Sequence, residues 1–511
     1  MKGILDLSES QKKALSEWEH ILGKERILQG EEVSRAYKRP DPQRRPILGV
    51  LFPETVTEVA QIMRVASSHK IPVYPISKGN NYGFGGPSPV VNGCCIIDLA
   101  RMNKILAMDR NLGLITVEPG VTTGQVQEFL QEQRLPFLGP VIGVGPRASL
   151  IGNFLDKGFS SVPYIDRISS LMSLEAVLPD GSLYKSSSLR DKHKPAFYKW
   201  GTGPYIDGLF IQSGIGIVTS ATFALAPLSE TVLGYSLVLK NAEELAQVID
   251  VLREGIHALG DILSSFSLKS PERIMSVGRF GSPVEQGEED PYELLGEWTL
   301  SGFIRGDAAV VRAAKRRLNK RFRQHNLSVF LFSERTLYIV STFSAVLKLT
   351  GVWKRKLFLL PRFHALLRRV QGGPTFFPGV DLEKGFLIIP VVLPMVGETV
   401  SSFACEVKDI CAAHDHPHTS TISNLSPHAV TYNTMLFFDS ENAHERESVH
   451  DCYVQMHASA ERHGGYVYRA SIDMMDTVID PTHEFWRVAK KIKETFDPLG
   501  ILAPGRYEKN K

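Results

Sequence analysis

The chain has 511 residues, 43% of them hydrophobic and 22% charged, with a formal net charge of +3. That length exceeds one ordinary domain and suits two or three, with enough apolar material for a sizeable core. So small a net charge gives no reason to expect nucleic acid as a partner, and five cysteines without CxxC spacing argue against both a disulfide framework and a zinc ribbon.

Residues 1–23 carry no continuous apolar run, because Asp6, Ser8 and Glu9 interrupt it, so a secretory signal is not expected there. Leu15, Trp18 and Leu22 instead mark one face of an amphipathic helix. Thr55, with Glu58 three residues on, forms a capping box that opens a helix bearing Val56, Val59, Met63 and Ala66. Strands are expected at 72–76, 94–99 and 114–117. Thr122 or Thr123 caps a further helix carrying Val126, Phe129 and Leu130. Segments 174–178 and 182–184 flank Pro-Asp-Gly, a hairpin signal, and 216–226 reads as β-rich. After Pro227 the texture changes to a strand at 232–239, a helix at 242–259 bearing Leu245, Val248, Ile249 and Leu252, and a polar, glycine-containing loop at 278–289. The C-terminal stretch holds a capped helix at 482–496 and a turn-rich tail. No stretch reaches membrane-spanning length. Residues 347–370 mix Lys and Arg with Leu, Phe and Trp; they read as a surface helix or loop rather than a segment lying on a membrane. The reduced interior of a cell, a cytoplasmic location, fits the cysteine usage best.

The most informative segment is VYPISKGNNYGFGG, residues 73–86. An apolar strand enters a loop with Gly79, Gly83, Gly85 and Gly86, which permit positive φ and close approach of backbone to a ligand. Successive N–H groups in such a loop make an anion nest suited to a pyrophosphate. Ser77, Asn80 and Asn81 add neutral donors. Neither the dinucleotide fingerprint nor the G-K-[ST] loop is present. Alone, the segment also fits an ordinary glycine-rich turn.

Four blocks in order along the chain resemble the vanillyl-alcohol oxidase and p-cresol methylhydroxylase family. They are the loop; LIGN at 150–153 followed by DKG, Pro163-Tyr164 and Asp166; GPYIDGLFIQSGIGIVT at 203–219; and the tail FDPLGILAPGRY. The resemblance implies an α+β fold: a two-part FAD-binding domain of the p-cresol methylhydroxylase type, 1–228 with 470–511 returning to it, and an inserted α+β cap or substrate domain at 229–469. It implies FAD as cofactor. Ser77, Lys78, Gly79, Asn80, Asn81, Tyr82 and Gly83 would form the pyrophosphate loop. Gly152 and Asn153 would lie near the flavin, Ile217 and Val218 would turn their backbone to the adenine side, and Arg506 would join them from the tail. Each of these residues also fits a core or turn role.

In GGYVYR, 464–469, the resemblance makes Tyr468 and Arg469 catalytic, holding a phenolate oxygen while hydride leaves a benzylic or allylic carbon. A Tyr-Arg pair at a strand end is the plainer reading. Three positions depart from the family pattern. Phe84 replaces a tyrosine of the loop, Val144 stands where the oxidases carry an acid or base, and Ser161 replaces another tyrosine. A bulky or atypical phenol-like substrate is therefore expected. Asp166 and Arg167 lie nearby in sequence without an assigned role. Covalent FAD attachment through Tyr432, or His428 if the register slips, stands beside noncovalent binding. His414, His416 and His418 in HDHPH, with Cys411 just before, could converge on a metal; a polar turn around Pro417 is the preferred reading, and no metal is expected. The alternatives are an FAD-dependent 2-hydroxy-acid dehydrogenase, with Arg469 on a carboxylate, and a flavin-binding tailoring protein with little redox activity. Expected partners are a small-molecule substrate, oxygen or an electron carrier as reoxidant, and further copies of the chain in a homo-oligomer.

Overall fold

The computed structural model describes residues 7–37, 45–140, 142–143, 145–158, 167–189, 194–263, 265–279, 295–342 and 385–509. The basic stretch 347–370 and residues Val144, Ser161, Pro163, Tyr164 and Asp166 lie outside them. Among the described residues no helix is long and apolar enough to cross a membrane.

Two small sheets come from the first part of the chain. One orders β1 (Ile27–Leu28), β2 (Gly49–Leu51), β4 (Cys95–Asp98) and β3 (Val73–Ile76), with β2 and β3 both parallel to β4. The other joins β5 (Ile105–Asp109), β6 (Leu114–Val117), β10 (Ile217–Ala224), β8 (Leu171–Val177) and β9 (Leu183–Lys185), while β7 (Phe137–Leu138) pairs with β11 (Ala226–Pro227). The Pro-Asp-Gly hairpin forms as β8–β9. The helix Val56–His69 carries the expected Thr55–Glu58 capping box, and the helix Glu9–Leu22 buries Leu15, Trp18 and Leu22 against it. The last helix starts at Glu484 rather than Thr482, because His483 supplies the cap through Nδ1 and Thr482 bonds Asp480 instead. The loop expected at 278–289 begins later than its glycine suggests. A helix, Pro271–Arg279, runs through Gly278, and residues 280–289 are outside the described set.

The tail returns to the first sheet. Val73 N–H donates to Ile501 C=O at 2.8 Å and Ala503 N–H to Val73 C=O at 2.7 Å, so chain end and glycine loop are laced to the same strand. A buried lysine fixes this return: Lys493 Nζ donates to Gly214 O, Leu502 O and Asp497 Oδ2 at 2.6, 2.6 and 2.7 Å.

The remaining strands make one eight-stranded antiparallel sheet: β15 (Phe330–Phe332), β12 (Thr231–Leu239), β14 (Trp298–Gly306), β13 (Phe266–Lys269), β17 (Ser420–Asn424), β18 (Ala429–Phe438), β16 (Gly385–Pro394) and β19 (Tyr466–Val467). Alternation along a strand gives it two faces. Leu387, Ile389 and Val391 of β16 point into a core shared with the helices Ala242–Leu259, Ala308–Gln324, Gly397–Ala413 and Ala443–Arg462. Phe386 and Ile388 point the other way, onto the glycine loop. Ile388 N–H donates to Gly83 C=O at 3.2 Å, and a Cβ on Gly83 would lie 2.6 Å from Ile388 Cγ1. Gly83 also has φ +78°, so both space and conformation demand glycine there.

Candidate active site

The loop leaves β3 at Ile76 and turns through Gly79 at φ +63° and Gly83 at φ +78°. Among the described residues, the N–H groups of Gly79 to Gly83 donate to no protein acceptor. The Ser77 hydroxyl also has no protein partner, and it sits where a Cβ on Gly152 would come within 2.5 Å of it. That contact explains the glycine in LIGN. The helix Leu150–Leu155, capped by Ser149, presses this second segment onto the loop, and its Asn153 keeps a buried Oδ1 with no hydrogen-bond partner. A buried acceptor left so costs about 1–3 kcal/mol unless a ligand donates to it.

Two of the expected donors are taken. Asn80 Nδ2 donates to Arg147 C=O at 3.1 Å and its Oδ1 accepts from the Tyr82 hydroxyl at 2.9 Å. Asn81 Nδ2 donates to Asp156 Oδ2 at 2.8 Å, and its Oδ1 accepts from Arg469 Nη2. Only their backbone N–H groups stay open to a phosphate. Lys78 is half-buried, and its charge is among those that oppose the upward push of burial on the Asp98 carboxyl. Ile217 and Val218 are fully buried in core, so their side chains are structural and only backbone could meet a cofactor.

Asp156 is the residue that sequence reasoning missed. It is buried and gathers contacts from three distant parts of the chain. Besides Asn81, Arg469 Nε donates to its Oδ2 at 2.7 Å, Arg506 Nη2 to its Oδ1 at 2.9 Å, and the Tyr507 hydroxyl to its Oδ1 at 3.2 Å. Burial alone would raise its carboxyl, but the two guanidiniums overcome that and hold it well below the usual carboxylate range. The one signal in sequence was its place inside a matching block, DKG. Gln212 was missed as well. Its Nε2 donates to Tyr468 C=O at 3.1 Å and its N–H to Leu155 C=O at 2.9 Å, bringing the segment 203–219 to the same point.

Tyr468 and Arg469 follow β19 directly and enter this cluster. The Arg469 guanidinium lies 3.9 Å from the centroid of the Phe84 ring, a cation–π contact. Its Nε and Nη2 are committed to Asp156 and Asn81, leaving Nη1 without a protein partner among the described residues. The Tyr468 hydroxyl likewise meets no protein partner among them. Burial pushes that phenol up to about 12; the Arg469 cation pulls against the shift and the Asp156 charge adds to it. It is a neutral donor at ordinary pH. Arg506 reaches the loop through Asp156 and the Phe84 carbonyl at 3.5 Å.

Tyr432 is not in this site. It pairs with Val391 in register and so shares the helix-facing side of the sheet. There it is fully buried against Trp298 and Phe403, and its hydroxyl contacts His418 Nε2 at 2.6 Å. His428 is exposed and packs beside His257, on the helix Ala242–Leu259 of the same side. Neither side chain faces the glycine loop, because the sheet itself intervenes. The three histidines of HDHPH also separate: His414 contacts Gln455, His416 contacts Ser448 and His418 contacts Tyr432. Among the described residues no group of three or more His, Cys, Asp or Glu is arranged to hold a metal ion.

Comparison with known proteins decides the cofactor. The model of an FAD binding domain matches residues 47–187, and that of the C-terminal domain of FAD linked oxidases matches 397–507. The chain is 26% identical over 478 residues to the flavoprotein subunit of 4-cresol dehydrogenase [hydroxylating] from Pseudomonas putida, covering 88% of this chain and 86% of that one. These matches bear out the resemblance to the vanillyl-alcohol oxidase and p-cresol methylhydroxylase family, and the chain is an FAD-linked enzyme. It is also 25% identical over 525 residues, 97% of both chains, to 1'-carboxy-chondrochloren decarboxylase from Chondromyces crocatus. A mitochondrial D-lactate dehydrogenase [cytochrome] of Saccharomyces cerevisiae matches 43% of the chain at 29% identity. The fold matches p-cresol methylhydroxylase with substrate bound (TM-score 0.83, 22% identity, 98% of each chain). It also matches 4-ethylphenol oxidase from Gulosibacter chungangensis (TM-score 0.85, 20% identity, 99% of each).

The residues present fit FAD. Open backbone donors suit a pyrophosphate, and the orphaned Asn153 oxygen suits a ligand hydroxyl or imide N–H.

Proposed function

We propose that this FAD-linked oxidoreductase removes hydride from the benzylic or allylic carbon of a phenol-like substrate. The observation that carries the reading is the pair of open donors, Tyr468 hydroxyl and Arg469 Nη1, held beside the FAD loop by Asp156 and Asn81. Bound FAD supplies a two-electron acceptor. Tyr468 and Arg469 donate to the phenol oxygen, favour its ionised form and so ease hydride loss from the para side chain. Phe84 offers no third donor and instead braces the guanidinium. Residues 229–469 act as the cap over the site, and 1–228 with 470–511 as the cofactor domain. The reoxidant is oxygen or an electron carrier, the working assembly a homo-oligomer and the compartment the cytoplasm. Anaerobic mixing with para-alkylphenols tests the reading: reduction of the flavin supports it, and a flavin that stays oxidised with all of them rejects it.

A second reading follows from Val144 and from the decarboxylase relative matched along 97% of both chains. After hydride loss, a para-quinone methide must add water or lose a proton, and either step calls for an acid or base. Val144 can serve as neither. A carboxylate on the carbon next to the benzylic one removes that need. The C–H electron pair leaves as hydride, the C–C pair of the departing CO2 becomes the new double bond, and the ring recovers its phenolate. Carbon dioxide released in step with flavin reduction distinguishes this outcome from simple dehydrogenation. The 2-hydroxy-acid alternative has less behind it, since lactate-type relatives match only 43–54% of the chain and the described histidines do not converge.

A further inference from the structure

Resting on the phenol reading, we propose that Asp156 is a positioning residue: it fixes the Arg469 guanidinium so that Nη1 faces the substrate oxyanion. An arginine side chain has many rotamers, and an unrestrained one would present its nitrogens to the substrate only part of the time. Here the fork is held on three sides. Asp156 Oδ2 takes Nε at 2.7 Å and also lies 2.6 Å from Nη2, Asn81 Oδ1 takes Nη2, and the Phe84 ring supports one face. The free nitrogen is thereby defined by elimination. Asp156 is itself held by Asn81, Arg506 and Tyr507, which come from the loop and the tail, so its position reports the assembly of the whole FAD-binding region. It is not a proton carrier, since two cations keep it ionised.

Charge and geometry make opposite predictions for its removal. Asp156 with Arg469 and Arg506 leaves one net positive charge, from one carboxylate and two guanidiniums. Taking the carboxylate away raises the local charge to two positives, which by Coulomb's law alone tightens an anion. Loss of positioning loosens it.

The experiment uses FAD-loaded full-length protein and 4-nitrophenol as a non-reacting probe, at a pH where the probe is ionised, with binding read by difference absorbance. Asp156→Asn is expected to retain FAD and to bind the phenolate at least tenfold more weakly than wild type. Equal or tighter binding overturns the proposal. Where Asp156→Asn fails to fold with FAD, Asp156→Glu takes its place; it keeps the charge and displaces the carboxylate that holds Arg469. A several-fold loss of phenolate affinity supports the positioning role, and unchanged affinity rejects it. A wild-type protein that binds no phenolate removes the phenol reading itself. Wild-type binding with an insensitive Asp156→Asn removes only the role of Asp156.

Discussion

Replacing Lys493 with methionine keeps the length of the side chain and deletes a buried cation. Lys493 is 7% exposed and Asp497 2% exposed, and the lysine spends all three of its donors on protein acceptors. Removing one member of a buried ion pair costs about 3–5 kcal/mol, because the other charge remains without compensation. Asp497 keeps two backbone donors, Ile501 N–H at 3.1 Å and Leu502 N–H at 2.8 Å, which favours the lower end. The orphaned carbonyls of Gly214 and Leu502 add about 1 kcal/mol each. The variant is therefore expected to lose about 5 kcal/mol. Denaturant unfolding of FAD-loaded protein, followed by flavin fluorescence, reads the change; where unfolding is irreversible, unfolding rates replace midpoints. Lys493→Met combined with Asp497→Asn should recover more than half of the loss, since no bare charge then stays buried. A single variant costing under about 1 kcal/mol, or a double variant no better than the single, refutes the reasoning. FAD release should accelerate with the single variant, because Leu502 lies beside the strand that feeds the loop.

His418 is buried and its imidazole is pushed down to about 4, first by burial and then by the Lys408 charge. The unfolded chain takes up its proton near 6.5. This contribution is whole above that pH and falls by roughly 3 kcal/mol on acidification to the folded value. Stability measured across that window should fall less in His418→Gln, and equal slopes contradict the assignment. Tyr432→Phe should lose about 1 kcal/mol with its bond to His418 and leave FAD content unchanged. Peptide mass mapping that finds FAD on Tyr432 or His428 contradicts their placement behind the sheet. Phe84→Tyr adds the donor that the loop lacks, and affinity for small para-alkylphenols should rise about fivefold, near 1 kcal/mol; no change in KM shows that the added hydroxyl does not reach the substrate oxygen.

Much of the frame was legible because local chemistry wrote it. Capping boxes, the Pro-Asp-Gly turn and the glycine loop each rest on neighbours a few residues apart. The resemblance of four blocks was legible too, but not what joins them. Asn81, Asp156, Arg469 and Arg506 are scattered through the chain and meet only in the fold. Asparagine side chains in a loop look like free donors until the third dimension shows them spent on Arg147 and Asp156. Tyr432 failed for a different reason. A strand residue points to one of two faces, and sequence does not say which face meets the flavin. Pairing with Val391 puts it on the helix side.

Anaerobic stopped-flow mixing of the oxidised, FAD-loaded enzyme with a para-alkylphenol tests the central claim most directly. Flavin absorbance should bleach in wild type, at least a hundredfold more slowly in Tyr468→Phe with Arg469→Met, and with no response to chelators. A wild-type flavin that stays oxidised with phenols but bleaches with a 2-hydroxy acid would contradict it.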